Sequence, residues 1–352
     1  MKKQLLNKLT IVILSRERNI HLKATVQFYN QYGIRLVVLH KSETGILSQL
    51  QNDNLNYIKT NKSFAERCTI AKKYINTPYA ILSTDDERYL PSTLKNMVRI
   101  LEKNKKVNSV GGQAIAFFTY SKLLCGQRLY SYLEKYTNNE RSLQKRLIHH
   151  FKTAEERITF SSMYRMYRRK DFIKMLQLFS LGKGVSTALI TEVTSEIFSL
   201  YKGNIHHVNE LLWVRNFMIE PINRADWSRD ITFKEWWNNE TYNLEKSSWL
   251  ERIGVDLSIG KVRLILGFIQ KNRRNEEYKK PIRFHRINTE FKYLMRKFFS
   301  PNTLPKSIGE VLHELSLSKT RYEKAELLHA LESMHSPFGE ISLTGKKWKI
   351  QN

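Results

Sequence analysis

The hydrophobic pattern is clearest over the first third of the chain. Short β-branched apolar runs alternate there with stretches whose apolar residues recur every three or four positions. "LTIVIL" (9–14) is too short for a helix and reads as a buried strand. In "NIHLKATVQFYNQYG" (19–33), Leu22, Val26 and Tyr29 have helical spacing and Gly33 supplies a stop. "IRLVVLH" (34–40) and "NLNYIKT" (54–60) read as the second and third strands. A helix follows over 63–75, where Ser63 can cap it and Glu66, three residues on, completes a capping box. A strand over 79–82 precedes a helix opening at Pro91, with Leu94, Met97, Val98 and Leu101 on one face. Residues 107–118 then read as a further strand. This order predicts an α/β fold, a mostly parallel sheet flanked by helices. Ligands of such sheets bind outside the carboxyl ends of the strands.

Beyond this, residues 120–160 read as helical and basic, and 160–169 as a returning strand. "KDFIKMLQLFSLG" (170–182) and "VSTALITEVTSEIFSLYKG" (185–203) read as helices closed by glycine, and 205–217 as strand-like. Past about 225 the character changes. Trp227, Trp236, Trp237 and Trp249 cluster, and residues 261–306 carry 13 Lys and Arg against 3 acids. The expected division is a catalytic-type α/β domain over 1–230 and a basic helical C-terminal region over 231–352.

Composition narrows the class. With 41% apolar residues and only 14 Gly and 7 Pro in 352, the chain reads as globular. Cys68 and Cys125 have no CxxC spacing and make no disulfide framework, which favours a reducing compartment. The N-terminal apolar stretch is too short for a signal peptide and runs into Arg16, Glu17 and Arg18. "VRLILGFI" (262–269) is far below the ~20 residues a membrane span needs. The expected location is therefore cytoplasmic, peripheral on the inner face of the plasma membrane. The net charge of +26 is compatible with nucleic acid, an anionic membrane surface, phosphorylated substrates or a plain compositional bias.

The stretch that raises a chemical question is "YAILSTDDERYLP" (79–91), an apolar strand ending in Asp85, Asp86 and Glu87. Adjacent carboxylates on a turn can hold a hard divalent cation, Mg or Mn, that bridges to substrate phosphates. Acids just before a helix also complement its dipole, so a capping turn is the competing reading. Arg16 and Arg18 follow the first strand and suit phosphate or carboxylate; Ser42 and Glu43 follow the second and could reach a base or ribose. Glu192 and Glu196 share a helix face, and a carboxylate there could take a proton from a hydroxyl. The doublets His149-His150 and His206-His207 point their side chains in different directions and make no one-face metal site.

Together, "LTIVILSRERN" (9–19) and "NKSFAERCTIAKKYINTPYAILSTDDERYLPSTL" (61–94) resemble the N-terminal half of GT-A glycosyltransferases, family 2-like, of the bacterial envelope type. A looser match covers 110–112, 164–172 and "TEVTSEIFSLYKGNIHHVNELLWVR" (191–215). The resemblance implies a Rossmann-like GT-A fold and inverting transfer from a nucleotide-sugar to a cell-surface polysaccharide or lipid-linked glycan. UDP-sugar is the default donor, with CMP- or GDP-sugar as alternatives. It implies Glu192 as catalytic base, and Arg16, Arg18, Ser42, Thr84, Asp85 and Asp86 around the donor, with Asp85 and Asp86 on the cation. Ser83 stands where the family's D-x-D motif has its first Asp, which leaves metal dependence open.

Two other readings stand beside this one. A nucleic-acid-binding protein would need its basic residues on one face with interleaved aromatics. Here the charge is dispersed and the acidic turn misplaced for that role, so no nucleic acid is expected. An inactive GT-A relative serving as an assembly subunit is the other, suggested by Ser83.

Overall fold

The computed structural model describes residues 5–15, 18–41, 53–120, 123–129, 136–153, 161–180, 189–216, 233–272, 306–335, 341–342 and 349–350. The first strand, β1 (Leu9–Ser15), is buried along its whole length. An apolar run without alternation belongs in the middle of a parallel sheet covered on both faces. Each buried Leu, Ile or Val contributes ~1.5–3 kcal/mol of transfer free energy. Helix α1 (Asn19–Asn30) leads to β2 (Arg35–His40), which pairs parallel with β1; β3 (Leu55–Lys59) extends the sheet on the same side. Gly33, at φ 67°, makes the left-handed turn between α1 and β2 that a residue with a Cβ adopts at a cost.

Helix α2 (Phe64–Ala71) carries the expected capping box, Ser63 with Glu66, and leads to β4 (Tyr79–Ser83) on the other side of β1. The order β3-β2-β1-β4 reverses direction between β1 and β4. The acidic turn follows β4, and then comes β5 (Glu87–Tyr89), a strand that the pattern hid. Helix α3 (Pro91–Lys103) starts with Pro91 in its first turn, as its spacing predicts.

The second half of the sheet mixes directions. Strand β6 (Ser109–Tyr120) pairs antiparallel with β7 (Leu123–Leu129). The stretch read as helical from 120 to 160 thus holds a strand, besides a short β8 (Thr137–Asn138) and α4 (Leu143–Thr153). Leu-rich sequence favours helix locally, but here pairing with β6 outweighs it. Gly126 is part of the reason, since a Cβ there would meet the Ala116 carbonyl at 2.9 Å. The returning segment is a 3-10 turn, Ser161–Tyr164, and a short strand β9 (Met166–Arg168) wedged antiparallel between β4 and β6. Helices α5 (Arg169–Ser180) and α6 (Leu189–Lys202) precede β10 (Ile205–Asn216), which runs parallel to β6 and antiparallel to β5.

The C-terminal region adds α7 (Phe233–Asn238), α8 (Asn243–Asp256), α9 (Ile259–Asn272), β11 (Lys306–Ser307), α10 (Ile308–Leu317), α11 (Lys324–His335), β12 (Ile341–Ser342) and β13 (Lys349–Ile350). Trp236 and Trp249 are fully buried, their rings edge-to-face at 6.0 Å, and Trp249 donates to Thr194 of α6. These two rings are core. Trp227 lies outside the described residues. Among the described residues no helix is long and apolar enough to cross a membrane.

Candidate functional site

Register builds the site. β1 and β4 pair with a constant offset, Leu9 opposite Tyr79 through Ile13 opposite Ser83. The same offset carries Ser15 to the level of Asp85, and the Ser15 hydroxyl donates to Asp85 Oδ2 at 2.5 Å. Arg18, just past β1, donates through Nη1 to Asp85 Oδ1 at 3.0 Å and lies 3.6 Å from Asp86 Oδ2. On the far side β5 pairs with β10 so that Glu87 faces Arg215. Arg215 Nε lies 3.6 Å from Asp86 Oδ2 and Nη2 3.5 Å from Glu87 Oε1. Its guanidinium sits over the Tyr164 ring at 5.9 Å, and that ring packs on Trp213 at 4.8 Å. The Thr84 hydroxyl donates to Asp86 Oδ1.

The turn itself is fastened from behind. Thr25 Oγ1 and Arg88 Nη1 donate to the Asp85 carbonyl, and the Asn216 amide donates to the Asp86 carbonyl at 2.9 Å. Arg88 is buried and reaches Glu87 O at 2.9 Å and the Ser333 hydroxyl of α11 at 3.1 Å. Glu326, also on α11, accepts from the Ser92 amide in the first turn of α3 at 2.8 Å. The three acids are thus neither a solvated turn nor the cap of α3, whose N-cap residue, Leu90, makes no side-chain cap.

Burial sets the electrostatics. It raises the Asp85 carboxyl above its ordinary range, with Arg18 opposing and Asp86 adding to the rise. For Asp86 burial also pushes upward, but Arg215, Arg18 and the Thr84 hydroxyl outweigh it and the net direction is down. Burial lifts Glu87 to about 7 and lowers Arg88 to about 10. The adjacent carboxyls are driven in opposite directions, a pattern suited to a site that separates protonation states.

Of the residues expected at the donor site, Arg18, Thr84, Asp85 and Asp86 meet at the turn; Arg16, Ser42 and Glu43 lie outside the described residues. Glu192 sits half-buried in the first turn of α6, the helix that packs on the 3-10 turn carrying Tyr164. Glu196, on the same helix face, is fully buried instead: it accepts from the Ser162 hydroxyl and lies 3.3 Å from His150 Nε2. His150 Nδ1 in turn meets the Tyr136 hydroxyl at 2.8 Å. Arg215 and Arg88 were missed as site residues. Arg215 had one legible signal, an Arg ending an apolar strand, as Arg18 follows β1.

A divalent cation at the turn would take oxygens from Asp85 and Asp86. All four of their carboxylate oxygens already face Ser15, Arg18, Thr84 or Arg215. Ser83, where a first acid is expected, is buried and donates to the Thr84 carbonyl. Among the described residues no group of three His, Cys, Asp or Glu could hold a metal ion. The donor set is one matched to guanidinium groups, and it does not fit a divalent cation. A concavity of about 510 Å³ beside Thr137, Arg141, Lys145 and His149 lies elsewhere, near the start of β10. Arg215 pairs with Ala116 and the start of β10 with Ser109, a separation of seven residues along β6, about 23 Å at the usual rise.

No family model and no curated protein matches the sequence. Among solved structures, the chain is similar to S. aureus TarS at 11% identity and a TM-score of 0.49, covering 97% of this chain and 58% of that one. It is similar to S. aureus TarS 1-349 at 11% identity and a TM-score of 0.44, covering 97% and 96%. The chain therefore spans a little over half the length of the first of these.

Proposed function

We propose that the chain is a glycosyltransferase that moves a sugar from a nucleotide-activated donor to an acceptor hydroxyl, with inversion. The acceptor in this reading is a growing cell-surface polysaccharide or lipid-linked glycan, met at the cytoplasmic face of the membrane. The observation that carries the reading is the place of the acidic turn. It lies at the carboxyl ends of β1 and β4, where the strand order reverses, the position at which open α/β sheets bind nucleotides. Two arginines, Arg18 and Arg215, stand there with their charge partly open to solvent.

Arg18 and Arg215 would hold the diphosphate, and Asp85, Asp86 and Thr84 would fix the arginines and the sugar-bearing end. Glu192 would deprotonate the acceptor as it attacks the anomeric carbon, a role worth roughly 10²–10⁴ in rate. A thermal-shift panel of UDP, GDP, CMP and TDP tests the site, because a ligand that binds only the native state raises its stability by RT ln(1 + [L]/Kd). At least one is expected to raise the melting temperature, and silence from all four would remove the reading. Glu192→Gln is expected to lose at least about a hundredfold in transfer with the melting temperature unchanged. Full activity would take Glu192 out of the base role.

A further inference from the structure

We infer that the acidic turn receives the phosphate-bearing end of its ligand on two guanidinium groups, Arg18 and Arg215, in place of a divalent cation. The inference rests on the nucleotide-sugar reading above and names the charge that meets the donor's phosphates. Its basis is charge and geometry. Among the described residues, three acids, Asp85, Asp86 and Glu87, are surrounded by three arginines, Arg18, Arg88 and Arg215, so even with every one of these acids ionised their formal charges cancel. A divalent cation binds where negative charge is in excess, and here it would stand beside two guanidinium groups that repel it.

The arginines differ in how they are held. Arg88 is sealed, spending its donors on the carbonyls of Asp85 and Glu87 and on Ser333. Arg18 and Arg215 keep 16% and 23% of their side chains exposed. Arg215 also touches its acids at 3.5–3.6 Å, longer than a good charge-assisted hydrogen bond. A phosphate oxygen offers those N–H groups a shorter contact than the carboxylates do. The Tyr164 ring beneath Arg215, itself packed on Trp213, keeps the guanidinium plane fixed while partners exchange. In this arrangement Asp85 and Asp86 are counter-ions that place the arginines before the ligand arrives. The absence of an acid at Ser83 keeps the cluster balanced.

Calorimetric titration of the full chain with UDP, GDP and CMP, each in EDTA and in Mn²⁺, tests the assignment. For a nucleotide that binds, affinity in EDTA is expected within about twofold of that in Mn²⁺. Arg215→Ala is expected to weaken it about tenfold or more in both buffers, and Arg215→Lys to recover part of the loss, because Lys keeps the charge without the two-point geometry. Asp86→Asn is expected to change UDP affinity by the same factor in EDTA and in Mn²⁺, since it acts only through the arginines; a metal ligand would lose affinity in Mn²⁺ alone. Should Arg215→Ala fail to fold, as its melting curve would show, the EDTA arm and Asp86→Asn decide the matter. Binding that appears only with Mn²⁺, and falls in Asp86→Asn, overturns the inference and leaves the glycosyltransferase reading standing. Silence from every nucleotide in both buffers overturns both.

Discussion

Among the described residues, the acidic turn and the cluster around Glu196 both join acids to arginine, and solvent treats them differently. At the acidic turn, Arg18 and Arg215 are part-open, and the contacts of Arg215 with its acids are 3.5–3.6 Å long. Around Glu196, by contrast, His150 and Glu196 are 2% and 0% exposed, and Ser162, Tyr136 and Arg165 close the shell. Arg165 donates to Ser199 and Ser161 and lies over the Tyr136 ring, so its charge is spent inside the protein. The residue types are nearly the same in both places. What separates them is whether the cation keeps a face that an outside anion can reach. An open cluster can exchange partners, whereas a sealed one can only lose them.

The largest effect expected from breaking this contrast is in the sealed cluster. Glu196→Ala strips Ser162 of its acceptor and leaves His150 without its carboxylate. Burial keeps His150 neutral, so the loss is that of a buried donor left without its acceptor, ~1–3 kcal/mol. Urea unfolding at unchanged m-value is expected to show that loss as a lower midpoint. If Glu196→Ala instead unfolded like wild type and lost transfer, the sealed cluster would have to be counted as part of the site.

A second test uses pH. Burial beside Arg165 and His206 lowers His207 to about 3, and burial lowers His150 as well. Between that value and the ordinary ~6.5 the unfolded chain binds a proton that the folded chain refuses, so stability falls as pH drops through this window. The slope is ~1.4 kcal/mol per pH unit for one such histidine, which gives about 2 kcal/mol between pH 6.5 and 5. His207→Gln is expected to remove that share of the acid sensitivity. An equal slope in the variant would mean that the imidazole is protonated within the fold.

How much of this is legible before folding depends on how local the cause is. β1, β2, β4 and α3 could be read because burial on one or both faces writes a short-range pattern. The Ser63 capping box could be read because its two partners are three residues apart. β7 could not, since its strand state comes from pairing with β6 and from Gly126 lying under the Ala116 carbonyl. Glu192 and Glu196 share a helix face, yet only Glu196 lies over His150 and Ser162, which arrive from a different part of the chain. The acidic turn stood out as three acids in a row, but Arg215 reaches it only through the pairing of β5 with β10. The Trp residues past 225 were legible as a cluster, but not that Trp236 and Trp249 pack against each other or that Trp249 reaches α6.

The smallest effect concerns the back of the open cluster. Ser333 on α11 accepts from Arg88 Nε at 3.1 Å and donates onward to Ala330 O. Ser333→Ala removes one hydrogen bond to a buried guanidinium, a loss of about 1 kcal/mol. Arg88 keeps its two backbone acceptors on the turn, the carbonyls of Asp85 and Glu87, and its place over the Phe28 ring. Nucleotide affinity is therefore expected to change less than about twofold, because the positions of Asp85 and Asp86 are set mainly by β4, Thr25 and Asn216. Calorimetry on the variant separates two kinds of support. A loss confined to stability makes α11 a brace; a tenfold loss of affinity at nearly unchanged stability would make it the element that sets the turn, and the open cluster would then be controlled from the C-terminal region.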